Sequence, residues 1–295
     1  MSKLTPFFNP LAWYKAWRFH KKNAAFDKST YDLELHLYSK ILKNNMLHWG
    51  YFEDTQIDPG DISLNQFQAA QQRYAGNLLE QIADKKSPVL DVGCGMGGLA
   101  EMLMDNAIPV EVLTPNKNQI SFISGKHPQL KAHRCKFEDF EACKLYGTII
   151  NSESLQYIKL DAAFHKADSI VKPKARWIIT DYFRTEDTTD NKGSHLLSDF
   201  KEKINEYGWN VVLEKDITSN VLPTIAYVNL YIERFLLPLR HYAYEKLRYK
   251  QAWLFYLSER IRNSIDAKID KERRSVDPAL FVTQKRYMFF VLEKK

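Results

Sequence analysis

Asp91-Val92-Gly93-Cys94-Gly95-Met96-Gly97-Gly98 sets one acidic side chain and four glycines directly after the apolar pair Val89-Leu90. A carboxylate at a strand end can hold a cationic group, and glycines let backbone amides approach a ligand with no Cβ in the way. Gly93, Gly95 and Gly98 satisfy G-x-G-x-x-G, the spacing of a tight turn that meets a nucleotide at a helix start. The ligand so described carries a ribose and a charged tail. Among the acid–base groups elsewhere in the chain, His48, Glu153 and Tyr157 are the catalytic candidates. His48, between Leu47 and Trp49, can serve as a base or as a structural ring. Glu153 can take a proton from an acceptor or cap the helix after it. Tyr157 can position an acceptor or simply pack.

These groups can cooperate only if regular elements bring them to one edge. From residue 65 to about 222, helical stretches alternate with short β-branched runs at 89–92, 110–113, 148–150, 177–181 and 209–213. The alternation predicts a parallel sheet covered by helices on both faces, whose ligands bind outside the carboxyl ends of the strands. Residues 281–292 read as a returning strand, with Tyr287, Phe289 and Val291 on one face and Met288, Phe290 and Leu292 on the other, a pattern that suits burial on both sides. Glu111, inside the second strand, reads as an exposed edge or strand-start residue. Residues 1–62 are aromatic and helical in pattern and end in the turn Asp58-Pro59-Gly60-Asp61. Residues 227–277 form a long basic, aromatic, helical stretch.

At 295 residues and 45% hydrophobic content, the chain can bury one substantial core. Its three cysteines match no metal spacing, and their odd number and scatter argue against a disulfide framework, so a reduced, cytoplasmic setting is expected. No apolar run approaches the ~18 residues of a membrane span, and the start of the chain has no signal-peptide pattern. The net charge of +6 is spread among interleaved acids and bases with no nucleic-acid module, so no nucleic-acid partner is expected.

The glycine motif resembles the first motif of the class I S-adenosylmethionine-dependent methyltransferases, V-L-D-x-G-C-G-x-G, and the resemblance continues in order over roughly residues 63–224. Ser63-Leu64, Ala70-Gln71-Gln72 and the stripe Leu78, Leu79, Ile82 resemble the helix before the first strand in the branch near tocopherol methyltransferases and cyclopropane-fatty-acid synthases. Val112-Leu113-Thr114-Pro115-Asn116 with Gln119 is similar to that branch's second strand and exit. Phe137-Glu138-Asp139-Phe140 is similar to its segment beside the adenine. Asn151-Ser152-Glu153-Ser154-Leu155-Gln156-Tyr157 is similar to its fourth-strand exit, and Lys172-Pro173 before 177–181 to its fifth strand.

The resemblance implies an α/β fold: a Rossmann-like seven-stranded methyltransferase sheet with an N-terminal helical cap and a helical lid inserted before the last strand. Residues 1–62 would cap the cofactor, 63–226 plus 278–295 would form the binding core, and 227–277 the lid. The implied cofactor is S-adenosylmethionine, held by Tyr31, Asp91, Gly93, Cys94, Gly95, Thr114, Asn116, Gln119, Phe137, Glu138 and Asn151, with no metal. Asp91 would accept from the methionine ammonium, or else cap the next helix. Phe137 and Glu138 would flank the adenine, unless Phe137 is plain core. Tyr31-Asp32 and 48–52 are similar to segments that fold over the site. The implied reaction is in-line methyl transfer to a hydrophobic or aromatic small molecule or lipid-like acceptor. Residues 227–277 would line its pocket or rest on an anionic membrane surface.

Two positions depart from the pattern. Many class I enzymes end the second strand with an acid that takes both ribose hydroxyls; Thr114 and Asn116 stand there instead. Cyclopropane synthases carry Glu-His where this chain has Gln156-Tyr157, which disfavours cyclopropanation. A nicotinamide-dependent oxidoreductase would need an acid or Arg after the second strand, where Thr114 stands, and a catalytic Tyr-x-x-x-Lys, a spacing that Tyr182 and Lys201 do not supply. A non-catalytic S-adenosylmethionine-binding or membrane-associated protein is the other alternative, because fold does not fix activity.

Overall fold

The computed structural model describes residues 9–23, 33–41, 44–187 and 193–295. Helices α1 (Pro10–Asn23) and α2 (Leu33–Ile41) precede the sheet, and α3 (Leu64–Glu80) leads into it. The α/β unit then runs β1 (Val89–Val92), α4 (Gly98–Asp105), β2 (Val110–Leu113), α5 (Lys117–Lys126), β3 (Lys131–His133), β4 (Tyr146–Ser152), α6 (Leu160–Ile170), β5 (Val171–Arg184), α7 (Leu197–Glu206) and β6 (Asn210–Asp216). Five helices follow: α8 (Thr218–Tyr231), α9 (Leu237–Lys250), α10 (Ala252–Leu257), α11 (Glu259–Ser275) and α12 (Pro278–Gln284). Strand β7 (Lys285–Glu293) closes the chain.

The seven strands lie in the order β3-β2-β1-β4-β5-β7-β6, with β7 antiparallel to both β5 and β6. Placing β7 between β5 and β6 departs from the 3-2-1-4-5-6 order of dinucleotide-binding sheets. Alternation along β7 explains why it can sit there. Tyr287, Phe289 and Val291 join the core cluster under α3, α4 and α8, while Met288, Phe290 and Leu292 join the one under α6 and α7. Both faces are apolar, so both are covered.

Three local readings change. Residues 281–284, expected as strand, are helical, because Asp277 caps α12 by accepting from the Ala279 and Leu280 amides, with Pro278 at the first helical position. Strand β3 was not expected, since Lys131-Ala132-His133 has no β-branched residue; it adds to the edge of β2. Glu111 is not an exposed edge residue: it is buried, with Lys144 Nζ 2.7 Å from one oxygen and His133 Nε2 and the Tyr146 hydroxyl at 2.6 and 2.8 Å from the other. Against the upward push of burial, these partners hold its carboxyl down at about 2.

At the site end, α3 starts on a complete capping box between Ser63 and Gln66. One of its buried side chains is polar. Gln71 donates from Nε2 to the carbonyls of Met46 (3.0 Å) and His48 (2.8 Å) and accepts from Asn44 Nδ2, tying the segment before α3 onto the sheet edge. No described helix is long and apolar enough to cross a membrane.

Candidate active site

The chain leaves β1 through Gly93 (φ +80°) and Gly95 (φ +55°), which L-residues with side chains enter only under strain. A Cβ on Gly93 would lie 2.3 Å from Ser154 Cβ, so the turn and the β4 exit touch only because that atom is absent. The turn forms one wall of a cavity of about 550 Å³, within the size range of small-molecule sites. The β2 exit and Lys136–Glu138 form a second wall, Ser152–Ser154 with Tyr157 and Ile158 a third, and residues 45–48 close it.

Asp91 is 2% exposed, and its Oδ2 has no hydrogen-bond partner; burial raises its carboxyl to about 7. It caps nothing: the N-cap of α4 is Gly97, with no side-chain bond. A buried, unsatisfied carboxylate facing a cavity fits a cationic ligand group. Cys94 beside it is buried, and burial pushes its thiol up, so it stays protonated.

On the β2 exit, Thr114 donates to Gln119 Oε1 (2.7 Å) and accepts from the Asn116 amide, while Asn116 Oδ1 caps α5 at the Asn118 and Gln119 amides. The side-chain oxygens are thus committed to shaping the exit, which leaves Gln119 Nε2 as a donor. Phe137 reaches the cavity but is core as well, 1% exposed among Leu113, Phe140 and Phe164; Glu138 follows it on the wall.

Asn151 does not line the cavity. It projects to the Trp177 side of β4, accepts from Trp177 Nε1 (2.8 Å) and donates to Ser154 Oγ (2.9 Å), which donates to the Val92 carbonyl (2.6 Å). Strand alternation turns it away and brings Ser152 to the wall. Its role is to brace the β4 exit against β1.

Glu153 sits at φ +53°, an uncommon conformation for a residue other than glycine, and it does not cap a helix. Its Oε1 accepts from the Trp49 amide (2.8 Å) and the Tyr287 hydroxyl (2.6 Å), and burial raises its carboxyl to about 7. Tyr287 in turn meets the Tyr74 hydroxyl at 3.0 Å, and His48 stacks on Tyr74 with ring centroids 4.2 Å apart. His48 Nδ1 lies 2.9 Å from the Trp49 carbonyl, so the proton belongs on Nδ1, and Nε2 is buried with no partner. Burial lowers the imidazole to about 4 and keeps it neutral at physiological pH.

Tyr157 stands at the cavity rim, 80% exposed. Tyr31 lies outside the described residues. No residue of 227–277 lines the cavity, and α9, α10 and α11 have no buried residues. Two contributors escape sequence reading. Gln71 signals itself as a polar residue on an otherwise apolar helix face, whereas Tyr287 is indistinguishable from its core neighbours in β7.

Residues 53–180 match the family described as Nodulation protein S (NodS). No curated protein matches the chain by sequence. Among solved structures, the chain is similar to a putative sarcosine dimethylglycine methyltransferase from Galdieria sulphuraria, at TM-score 0.66 and 13% identity over 91% of this chain and 99% of that one. It is similar to the 4+2 cyclase SpnF at TM-score 0.65 and 18% identity, covering 90% and 93%. It is also similar to geranyl diphosphate C-methyltransferase from Streptomyces coelicolor A3(2) at TM-score 0.60 and 13% identity, covering 88% and 92%. The sheet order and the glycine turn give the chain the Rossmann-like fold of the methyltransferases it is similar to, and the family match runs from before β1 into β5.

Proposed function

We propose that the chain transfers a methyl group in line from S-adenosylmethionine to a hydrophobic or aromatic small molecule or lipid-like acceptor, with Glu153 receiving the proton the acceptor loses. The observation that carries this reading is that one cavity holds two carboxylates raised by burial, Asp91 and Glu153, in different surroundings. Asp91 is unpartnered and suits a permanent cation. Glu153 is oriented by two donors and suits a proton that comes and goes.

S-adenosylmethionine, when bound, supplies an electrophilic methyl on a sulfonium. The chain's residues hold it and exclude water. Asp91 would accept from the methionine ammonium, and the Gly95 amide would meet the carboxylate or ribose, while the Gly93 and Cys94 amides bond the Leu113 carbonyl and fix the turn against β2. Gln119 would donate toward the ribose from an exit shaped by Thr114 and Asn116, and Phe137 and Glu138 would flank the adenine. Residues 45–48, pinned by Gln71, shield the site on one side. Neutral His48 offers Nε2 as an acceptor, and Tyr157 guards the rim.

The acceptor class draws support from the geranyl diphosphate C-methyltransferase, crystallised with a geranyl diphosphate analogue, and from the cyclopropane synthase MmaA2 of Mycobacterium tuberculosis among the structural neighbours. We assign 63–226 with 278–295 to the core, narrow the cap from 1–62 to the segment before α3, and give 227–277 a peripheral contact with the membrane from which such an acceptor comes. Incubation with methyl-labelled S-adenosylmethionine and lipid and metabolite extracts of the source organism should yield a labelled product by mass spectrometry. Tight cofactor binding with no label in any fraction would refute methyl transfer, the outcome expected if the fold serves other chemistry as its name says SpnF does.

The turn itself is testable. Gly95→Val forces a β-branched residue to φ +55°, at a cost of about 1–3 kcal/mol, and sets its Cβ 3.2 Å from Leu47. Calorimetry should find cofactor binding lost while circular dichroism finds the sheet intact; normal affinity would show that the turn is not the binding element.

A further inference from the structure

Residues 234–275 carry eleven Lys and Arg against five Asp and Glu, a net +6 equal to that of the whole chain. The rest of the protein is therefore neutral overall, and the charge sits on one projecting arm. Within the arm, Arg240 and Tyr244 of α9 bond Asp266 of α11, so these residues face inward. Phe235, just before α9, and Leu239, Tyr242 and Tyr249 of α9 follow at helical spacing on the opposite side, each 56–80% exposed. Lys246 lies over the Tyr242 ring at 5.3 Å and Arg248 over the Tyr249 ring at 5.4 Å, which puts cationic heads beside the stripe. Arg234, Lys250, Arg260, Lys268, Lys271 and Arg274 have no acidic partner among the described residues.

We propose that this outer face of α9 docks on an anionic phospholipid surface, its rings in the headgroup layer and its cations on the phosphates. The proposal rests on the peripheral contact assigned to 227–277 and names its face and its lipid chemistry. Charge selects the occupant. Two copies meeting through this face would bring two +6 arms together, whereas an anionic leaflet complements the arm. Rings flanked by snorkelling basic side chains are the pattern of helices that lie in a membrane interface. Helix α1 repeats the composition in a stretch, 1–26, that has five Lys and Arg and no acid. Tyr14 and Trp17 there are more than half exposed.

The test is flotation of the full chain with phosphatidylcholine vesicles and with vesicles of phosphatidylcholine and phosphatidylglycerol. The protein should float with the second kind only, and 1 M salt should release it, because the screening length falls to about 3 Å. Lys246→Ala/Lys250→Ala should weaken binding about fivefold per cation, and Tyr242→Ala/Tyr249→Ala should also cut the bound fraction. These side chains are exposed, so both variants keep the fold. Failure to float with either vesicle, equal binding to both, or variants that float like the parent would overturn the proposal. So would a dimer in solution that the tyrosine variant dissolves, which would make a second copy the occupant. Calorimetry with S-adenosylmethionine on the same preparations separates the two readings. Cofactor binding without flotation sinks the docking alone, and flotation without cofactor binding sinks the methyltransferase site alone.

Discussion

Asp91→Asn is expected to lose about 10- to 150-fold in affinity for S-adenosylmethionine while making the unliganded protein more stable at pH 8. The affinity loss follows from removing a charged hydrogen-bond acceptor from a buried site, worth about 1.5–3 kcal/mol. The stability gain has the opposite origin. In the folded protein the Asp91 carboxyl is raised to about 7 by burial, against about 3.9 in an unfolded chain. The folded state therefore keeps a proton that the unfolded chain releases. Stability from this group is full below pH ~4, falls as pH rises to about 7, and is lost above that. Asparagine does not ionise and escapes the penalty, though its buried amide takes back part of the gain; a net of about 1–3 kcal/mol at pH 8 is expected. Calorimetric titration and thermal melts from pH 4 to 8 check both halves. A variant that binds like the parent, or that melts with the parent's full pH slope, would contradict the role given to Asp91.

Glu153→Gln should lower turnover by about 10²- to 10⁴-fold, the usual worth of a positioned base, with little change in cofactor affinity. Glutamine keeps the shape and the acceptor for the Trp49 amide and the Tyr287 hydroxyl but cannot take a proton. Because the Glu153 carboxyl is raised to about 7 by burial, kcat/KM of the parent should climb through that pH and level off above it. Tyr287→Phe supplies the finer test. The tyrosine's hydrogen bond favours the ionised carboxylate, so its loss should move the rising limb to higher pH and slow the reaction most below neutrality. A merely structural tyrosine would lower the rate equally at all pH values. An unchanged rate in Glu153→Gln would point to an acceptor carbon that needs no base.

Much of this site was readable from local pattern. Apolar runs at 89–92 and 110–113 announce strands, and the glycines after Asp91 announce the turn, because backbone sterics and strand periodicity act over a few residues. The same periodicity resolved the two faces of β7. It misled at 281–284, where Asp277-Pro278 was a legible helix start that the apolar run overshadowed. Periodicity gave no sign of β3, which forms because β2 offers an edge to pair with.

Residue types and short-range spacing alone marked the strand–turn–helix cradle and the acid at its floor. Tertiary structure alone decided which groups meet there. Tyr287 reaches Glu153 across 134 positions of sequence, Gln71 pins the segment 23 to 27 residues before it, and Asn151 is turned to the Trp177 side. It also left Phe235, Tyr242, Tyr249 and Tyr256 of the 227–277 stretch exposed and none of its residues at the cavity. The reason is physical: an amphipathic pattern states that a face is apolar, and only the packed chain determines what, if anything, covers it.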